Sequence, residues 1–121
     1  MKANINFNLT SNAIENLKYQ TNGIYIKHEM NVLKFIEPSK AVNIITFNHH
    51  EISITRIADV ESNLFLKQHF TTFYTVKTKE GTLKIEVVTK ELIVEEQLIY
   101  AKYIIKDVGE VMLKIKYEIS E

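Results

Sequence analysis

Apolar and polar residues alternate along several stretches of the chain, most regularly over residues 111–119. Every second residue from Val111 to Ile119 is apolar there, and most of the residues between them are Lys or Glu. Residues 5–9 and 83–87 repeat the pattern. Because successive side chains of a strand point to opposite faces, this period of two predicts antiparallel strands with one buried and one solvated face.

Turn signals divide the chain into short segments. Groups of Gly, Pro, Asn, Asp, His and Lys recur at intervals of about 8–12 residues, which is typical of β-sandwiches and β-barrels. Helical crossovers between parallel strands need longer connections. The pattern predicts an all-β, antiparallel up-and-down β-barrel of eight to ten strands, formed as one domain over residues 1–121. The turn signals lie at residues 22–23, 28–31, 38–40, 48–50, 59–63, 68–71, 79–81 and 107–109.

Two segments fit more than one element. Residues 11–21 begin with a capping sequence and carry apolar residues at helical spacing, but the alternation over residues 17–21 equally fits a strand. Residues 89–102 are rich in Glu and Leu and also fit either element. The apolar positions change from odd to even numbers after Val87, which predicts a β-bulge or corner near residues 88–89.

Composition supports a sheet and excludes several kinds of site. The 17 Ile, 9 Val and 10 Thr residues outnumber the 9 Leu and 5 Ala residues, and β-branched side chains favour strands. Lys plus Arg equals Asp plus Glu at 15 each, which argues against a nucleic-acid groove or a polybasic membrane surface. The absence of Cys excludes disulfides, thiolate nucleophiles and Cys-based zinc sites.

The sequence carries no targeting or membrane signal. Its first residues lack the apolar segment of a signal peptide, and no window holds 18 uninterrupted apolar residues. We therefore expect a cytoplasmic protein with neither membrane nor nucleic acid as a partner.

Arg56 is the one arginine of the chain, and it shares a strand face with the apolar Ile52 and Ile54. If those side chains point inward, the guanidinium points inward too or lies at the mouth where the strand leaves the core. A buried guanidinium requires a carboxylate or several carbonyl acceptors. Glu37 and Asn43 stand in the same relation to the apolar residues of their own segments. The alternation thus predicts a polar cluster of these three residues inside the barrel.

This cluster has two main interpretations. It is either an ion pair that closes one barrel end, or a ligand anchor in which Arg56 binds a carboxylate or phosphate through its planar fork; with a different strand phase, Arg56 would lie on the surface. Tyr103 and Tyr117 also face inward by parity and would hydrogen-bond to Glu37 or to the ligand. The expected ligand is small and either apolar or acid-headed, bound without a cofactor.

The alternative is a barrel filled by its own side chains, which acts as a structural or protein-interaction module. Small barrels either fill their interior or hold one small ligand, and the inward-facing residues are mostly large. They are Phe7, Leu33, Phe35, Ile45, Phe47, Ile52, Ile54, Ile85, Tyr103, Leu113, Ile115 and Tyr117. In such a module the outer-facing Ile36, Ile104 and Met112 would form a contact patch, either for a second copy in a homodimer or for a partner protein.

Several short motifs resemble the YwiB-like family of small bacterial proteins of unknown function. They are Gly23-Ile24-Tyr25, Phe35-Ile36-Glu37, the strand that ends in Arg56, and Tyr74 before a Thr/Gly turn. The resemblance extends over nearly the whole chain. It implies a calycin-like (lipocalin-like) β-barrel and does not imply any biochemical activity.

Catalytic and metal-binding motifs are missing. The four His residues lie near turn signals in no ligating pattern, so no metal site is expected. The chain has three Gly residues, none of them adjacent, and neither a phosphate-binding loop nor a nucleophile elbow. We therefore do not expect an enzyme.

Overall fold

A computed structural model describes residues 1–120, which form a closed barrel of ten antiparallel strands. The count lies at the upper limit of the predicted range. The strands are β1 (Lys2–Ser11), β2 (Leu17–Lys27), β3 (Asn31–Ile36), β4 (Val42–Phe47), β5 (Glu51–Ile57), β6 (Glu61–Lys67), β7 (Thr71–Thr78), β8 (Gly81–Glu95), β9 (Leu98–Ile105) and β10 (Gly109–Ser120).

Each strand pairs with its neighbours in the chain, and β10 pairs with β1 to close the barrel. Residues 1–120 contain no helix, so both ambiguous segments are resolved in favour of strands. Ser11 ends β1, residues 12–16 form a turn and residues 17–21 begin β2, whereas residues 89–102 cover the end of β8, the turn at residues 96–97 and the start of β9. The register between these two strands shifts between Thr89 and Glu91, which places a β-bulge next to the predicted position. No helix in this part of the chain is long and apolar enough to cross a membrane.

One predicted turn was wrong. Asn22-Gly23 lies inside β2, where Gly23 pairs with Ala3 on β1 and Phe35 on β3. A Cβ atom on this glycine would lie 2.3 Å from the carbonyl oxygen of Lys34. The glycine therefore allows three strands to approach closely and does not reverse the chain.

The interior follows the predicted alternation. Of the twelve residues assigned inward, eleven are buried and Ile85 is partly buried. The barrel end that carries the turns β2–β3, β4–β5, β6–β7 and β8–β9 is packed with aromatic rings. Tyr117 stacks on Tyr25 with ring centroids 5.7 Å apart, and Phe47 meets Tyr117 edge-on at 6.1 Å. The other end, which carries the turns β1–β2, β3–β4, β5–β6, β7–β8 and β9–β10, contains the candidate site and is called the cavity end below.

Candidate functional site

The β3–β4 turn positions Glu37 at the cavity end. Pro38, with its fixed φ, occupies the second position of a β-turn in which the Lys40 amide donates to the Glu37 carbonyl at 2.9 Å. Lys40 has a positive φ of 78°, and the Glu37 amide donates to the Ala41 carbonyl at 2.9 Å. These bonds hold the backbone of Glu37 at the point where β3 ends, so that its side chain continues the inward face of the strand.

Strand register brings the partners of Glu37 to it. Asn43 on β4 is paired with Phe35 on β3 and with Arg56 on β5. It therefore lies between the end of β3, where Glu37 follows, and the strand that carries Arg56. The cluster inferred from strand parity is present.

The Glu37 carboxylate accepts four hydrogen bonds. Its Oε1 atom accepts from Arg56 Nε at 2.6 Å and from Asn43 Nδ2 at 2.7 Å. Its Oε2 atom accepts from Arg56 Nη2 at 3.2 Å and from Ser39 Oγ at 3.0 Å. The two contacts from Arg56 form a bidentate ion pair, the strongest geometry for these groups. The Glu37 side chain is 6% exposed and that of Arg56 is 43% exposed, so the pair spans the boundary between the interior and the solvent.

These contacts also determine the charge of Glu37. Burial by itself raises the pKa of this carboxyl, but the hydrogen bonds from Arg56, Asn43 and Ser39 outweigh burial and hold the pKa below its ordinary value. The hydrogen bonds to Glu37 raise the pKa of the Arg56 guanidinium further. Both groups are therefore ionised at neutral pH.

A cavity of about 370 Å³ lies beside the ion pair at the cavity end. Arg56 and Glu37 are its only charged lining residues among residues 1–120, and Asn43, Ser62, Tyr74 and Tyr103 add polar groups. The remaining walls are apolar: Phe7, Leu9, Ile14, Leu17, Ile54, Leu64, Ile85, Ile105, Val108 and Leu113.

Four of the five predicted site residues meet at this cavity, and Tyr117 does not. Arg56, Glu37, Asn43 and Tyr103 line it, whereas Tyr117 packs on Tyr25 at the opposite end. Strand parity shows correctly that Tyr117 points inward, but parity contains no information about height along the barrel axis. Because β10 runs from the cavity end toward the opposite end, a residue near its carboxyl end lies far from the ion pair.

Tyr19 is absent from the residues that the sequence predicted to face inward. Its ring stacks on Phe7 with centroids 4.9 Å apart, and its buried hydroxyl has no hydrogen-bond partner among the described residues. Burial, followed by the negative charge of Glu37, raises the pKa of this phenol well above its ordinary value. The alternation over residues 17–21 was the signal that could have identified it.

Tyr19→Phe is expected to leave stability unchanged or to raise it by up to about 1 kcal/mol, because the mutation removes a buried hydroxyl that makes no hydrogen bond within residues 1–120. Tyr25→Phe is the matched control. The Tyr25 hydroxyl donates to Asn31 Oδ1 at 2.6 Å, and its removal is expected to cost about 1–2 kcal/mol. Urea unfolding of both variants measures the difference; equal losses would show that the Tyr19 hydroxyl has a partner.

Comparisons with known proteins support the fold and the family. The model of a domain of unknown function, DUF1934, matches residues 4–119. The crystal structure of the ywiB protein from Bacillus subtilis superposes with a TM-score of 0.75 at 18% identity, covering 99% of this chain and 91% of that chain. At that identity the likeness shows the fold alone. No curated protein matches the chain. Since the family model spans residues from all ten strands of the barrel, the chain belongs to the DUF1934 family.

Proposed function

We propose that this protein is a binding module that holds a small, mainly apolar molecule at the cavity end of its barrel. The observation that carries the proposal is the asymmetry of the interior. Tyr25, Phe47 and Tyr117 pack against one another at the opposite end, whereas the cavity end has a space of about 370 Å³ next to a guanidinium that is 43% exposed.

The size and lining of the cavity agree with a small ligand. Ligand pockets typically measure about 300–1,000 Å³ and combine apolar walls with a few polar groups. A volume of 370 Å³ equals that of about a dozen water molecules in the liquid, so the fitting ligand has about a dozen non-hydrogen atoms.

The chemistry of the polar groups favours binding over catalysis. Glu37 is ionised, but all its lone pairs accept hydrogen bonds, so it has no free position from which to remove a proton. Burial raises the pKa of the Tyr103 hydroxyl, which makes this group a poor proton donor at neutral pH.

The proposal also includes a cellular location: the protein is expected to act in the cytoplasm.

Native mass spectrometry of protein purified gently from its own host is expected to show a non-covalent adduct that is absent from the denatured mass. Ile85→Phe enlarges a partly buried side chain of the cavity wall and is expected to remove the adduct. Ile93→Phe makes the same change at an exposed position of β8 and is expected to retain it. An adduct of equal abundance on both variants, or no adduct on the wild type, would contradict the proposal.

A second candidate function is self-association through the outer face. Ile24 and Ile36, 51% and 53% exposed, line an outer groove whose walls also include Lys34 and Glu118. A two-fold axis midway between Lys34 and Glu118 would place Lys34 of one copy opposite Glu118 of the other.

In this topology the three outer-facing residues that the sequence placed in one contact patch lie apart. Ile36 lies on β3, whereas Ile104 and Met112 lie on β9 and β10, beyond β2 and β1, so the three do not form one patch. A dimer mass without an adduct in the same spectrum would favour this second function over ligand binding.

A further inference from the structure

We infer that the molecule held in the cavity is electrically neutral and presents a hydrogen-bond acceptor, such as an amide, ester or ketone carbonyl, to Arg56. This inference rests on the proposed function and specifies the chemistry of its ligand. The sequence leaves open whether the ligand is apolar or acid-headed, and the geometry of the ion pair distinguishes between the two.

Glu37 does not accept a hydrogen bond from the ligand, because the lone pairs of its carboxylate are already occupied. A carboxylate offers about four lone-pair positions, and Arg56, Asn43 and Ser39 together fill four. Its side chain is also 6% exposed. A donor group or a cation on the ligand therefore finds no free acceptor on Glu37, whose role is to hold the guanidinium in place.

Arg56 retains a free donor edge. A guanidinium carries five N–H bonds, and two of its nitrogens, Nε and Nη2, each donate once to Glu37. Three N–H bonds, two on Nη1 and one on Nη2, have no partner within residues 1–120. Because an arginine side chain can only donate, the group that meets this edge must be an acceptor.

The charge balance of the cavity selects a neutral acceptor. Arg56 and Glu37 are the only charged residues among the described residues of the lining, and their charges cancel. A ligand carboxylate would place a second anion on a guanidinium that Glu37 already neutralises, between apolar walls that solvate charge poorly. A carbonyl oxygen accepts the same hydrogen bonds without this repulsion. Among the described residues, the other polar side chains of the lining include no cation that could hold a carboxylate.

Octanamide and octanoate test this inference, because they share one alkyl chain, differ in head-group charge and fit the available volume. Isothermal titration calorimetry at pH 8, where octanoate is ionised, is expected to show that octanamide binds the wild-type protein at least about tenfold more tightly. Tighter binding of octanoate would overturn the inference and leave the proposed function standing. Binding of neither probe, up to the solubility limit of the amide, would count against both.

Glu37→Gln tests the charge argument directly. The variant retains the shape of the side chain and removes its charge, so the positive charge of Arg56 is no longer cancelled. Octanoate is expected to bind it about tenfold more tightly than it binds the wild type. Ser39→Ala is the matched control, since it removes one hydrogen bond to Glu37 but no charge, and it is expected to retain the wild-type preference. Unchanged octanoate affinity in Glu37→Gln would overturn the inference, and the wild-type comparison remains decisive if this variant does not fold.

Discussion

Arg56→Met is expected to lower the free energy of unfolding by about 2–3 kcal/mol at pH 7. Removing one partner of a buried ion pair costs about 3–5 kcal/mol, because the remaining charge is left buried without compensation. The expected loss is smaller here since the Arg56 side chain is 43% exposed and water can partly replace it. Glu37, at 6% exposure, would retain only the hydrogen bonds from Asn43 and Ser39.

The double variant Arg56→Met/Glu37→Gln separates the cost of a stranded charge from the value of the pair. A neutral glutamine does not need a counter-charge, so the double variant is expected to recover at least about 1 kcal/mol relative to Arg56→Met. Urea unfolding of the wild type, both single variants and the double variant forms a complete cycle. If the losses of the two single variants simply add, the pair does not stabilise the barrel through its charges.

The loss of stability in Arg56→Met is expected to depend on pH, and the pKa of Glu37 gives the direction of the dependence. In the wild type the pKa of Glu37 is lowered, so its contribution to stability is complete above the unfolded value of about 4.3 and is lost as the pH falls through the folded value. In Arg56→Met the main lowering contact is gone and burial remains, so the pKa of Glu37 is expected to rise. Protonation of Glu37 then removes the uncompensated charge from the variant. The difference in free energy of unfolding between the wild type and Arg56→Met is therefore expected to shrink below about pH 5. A deficit that grows in acid would contradict this account.

Gly23→Ala is expected to destabilise the barrel by about 3 kcal/mol. The added Cβ would lie 2.3 Å from the Lys34 carbonyl oxygen, 2.7 Å from Ile5 Cδ1 and 2.9 Å from Phe35 Cβ. Overpacking typically costs about 1–3 kcal/mol, and the upper end applies because a backbone atom of the neighbouring strand must move. Thermal unfolding followed by circular dichroism measures the loss.

Gly81→Ala provides the comparison, since it makes the same chemical change for a different reason. Gly81 has a φ of 138° and open space around it, so the added methyl group costs only backbone strain, about 1–2 kcal/mol. Both substitutions change the unfolded chain equally, and their difference therefore reports on the native barrel. Equal losses at the two positions would show that the contacts around Gly23 relax without cost.

Stability alone does not assign a role to Arg56, because a structural ion pair and a ligand anchor both predict a loss in Arg56→Met. Ligand binding separates them. The structural role is complete in the contacts to Glu37, whereas the binding role depends on the free edge of the guanidinium. A variant that loses stability but keeps the adduct would show that Arg56 serves the fold only.

Local alternation determined most of the architecture. Because side chains of a strand point alternately to its two faces, the spacing of apolar residues was enough to predict antiparallel strands and the residues that face inward, among them Arg56, Glu37 and Asn43. It also located the bulge of β8 to within a few residues, since an extra residue reverses the phase of the pattern.

Only the tertiary structure determined which residues meet across neighbouring strands and where each residue lies along the barrel axis. Parity has a period of two and contains no information about position along the barrel axis, so the sequence did not separate Tyr103, at the cavity, from Tyr117, at the opposite end. The role of Gly23 depends on contacts with β1 and β3, which no local pattern reports. The cavity depends on the closure of ten strands around the inward-facing side chains, and that closure is a property of the whole barrel.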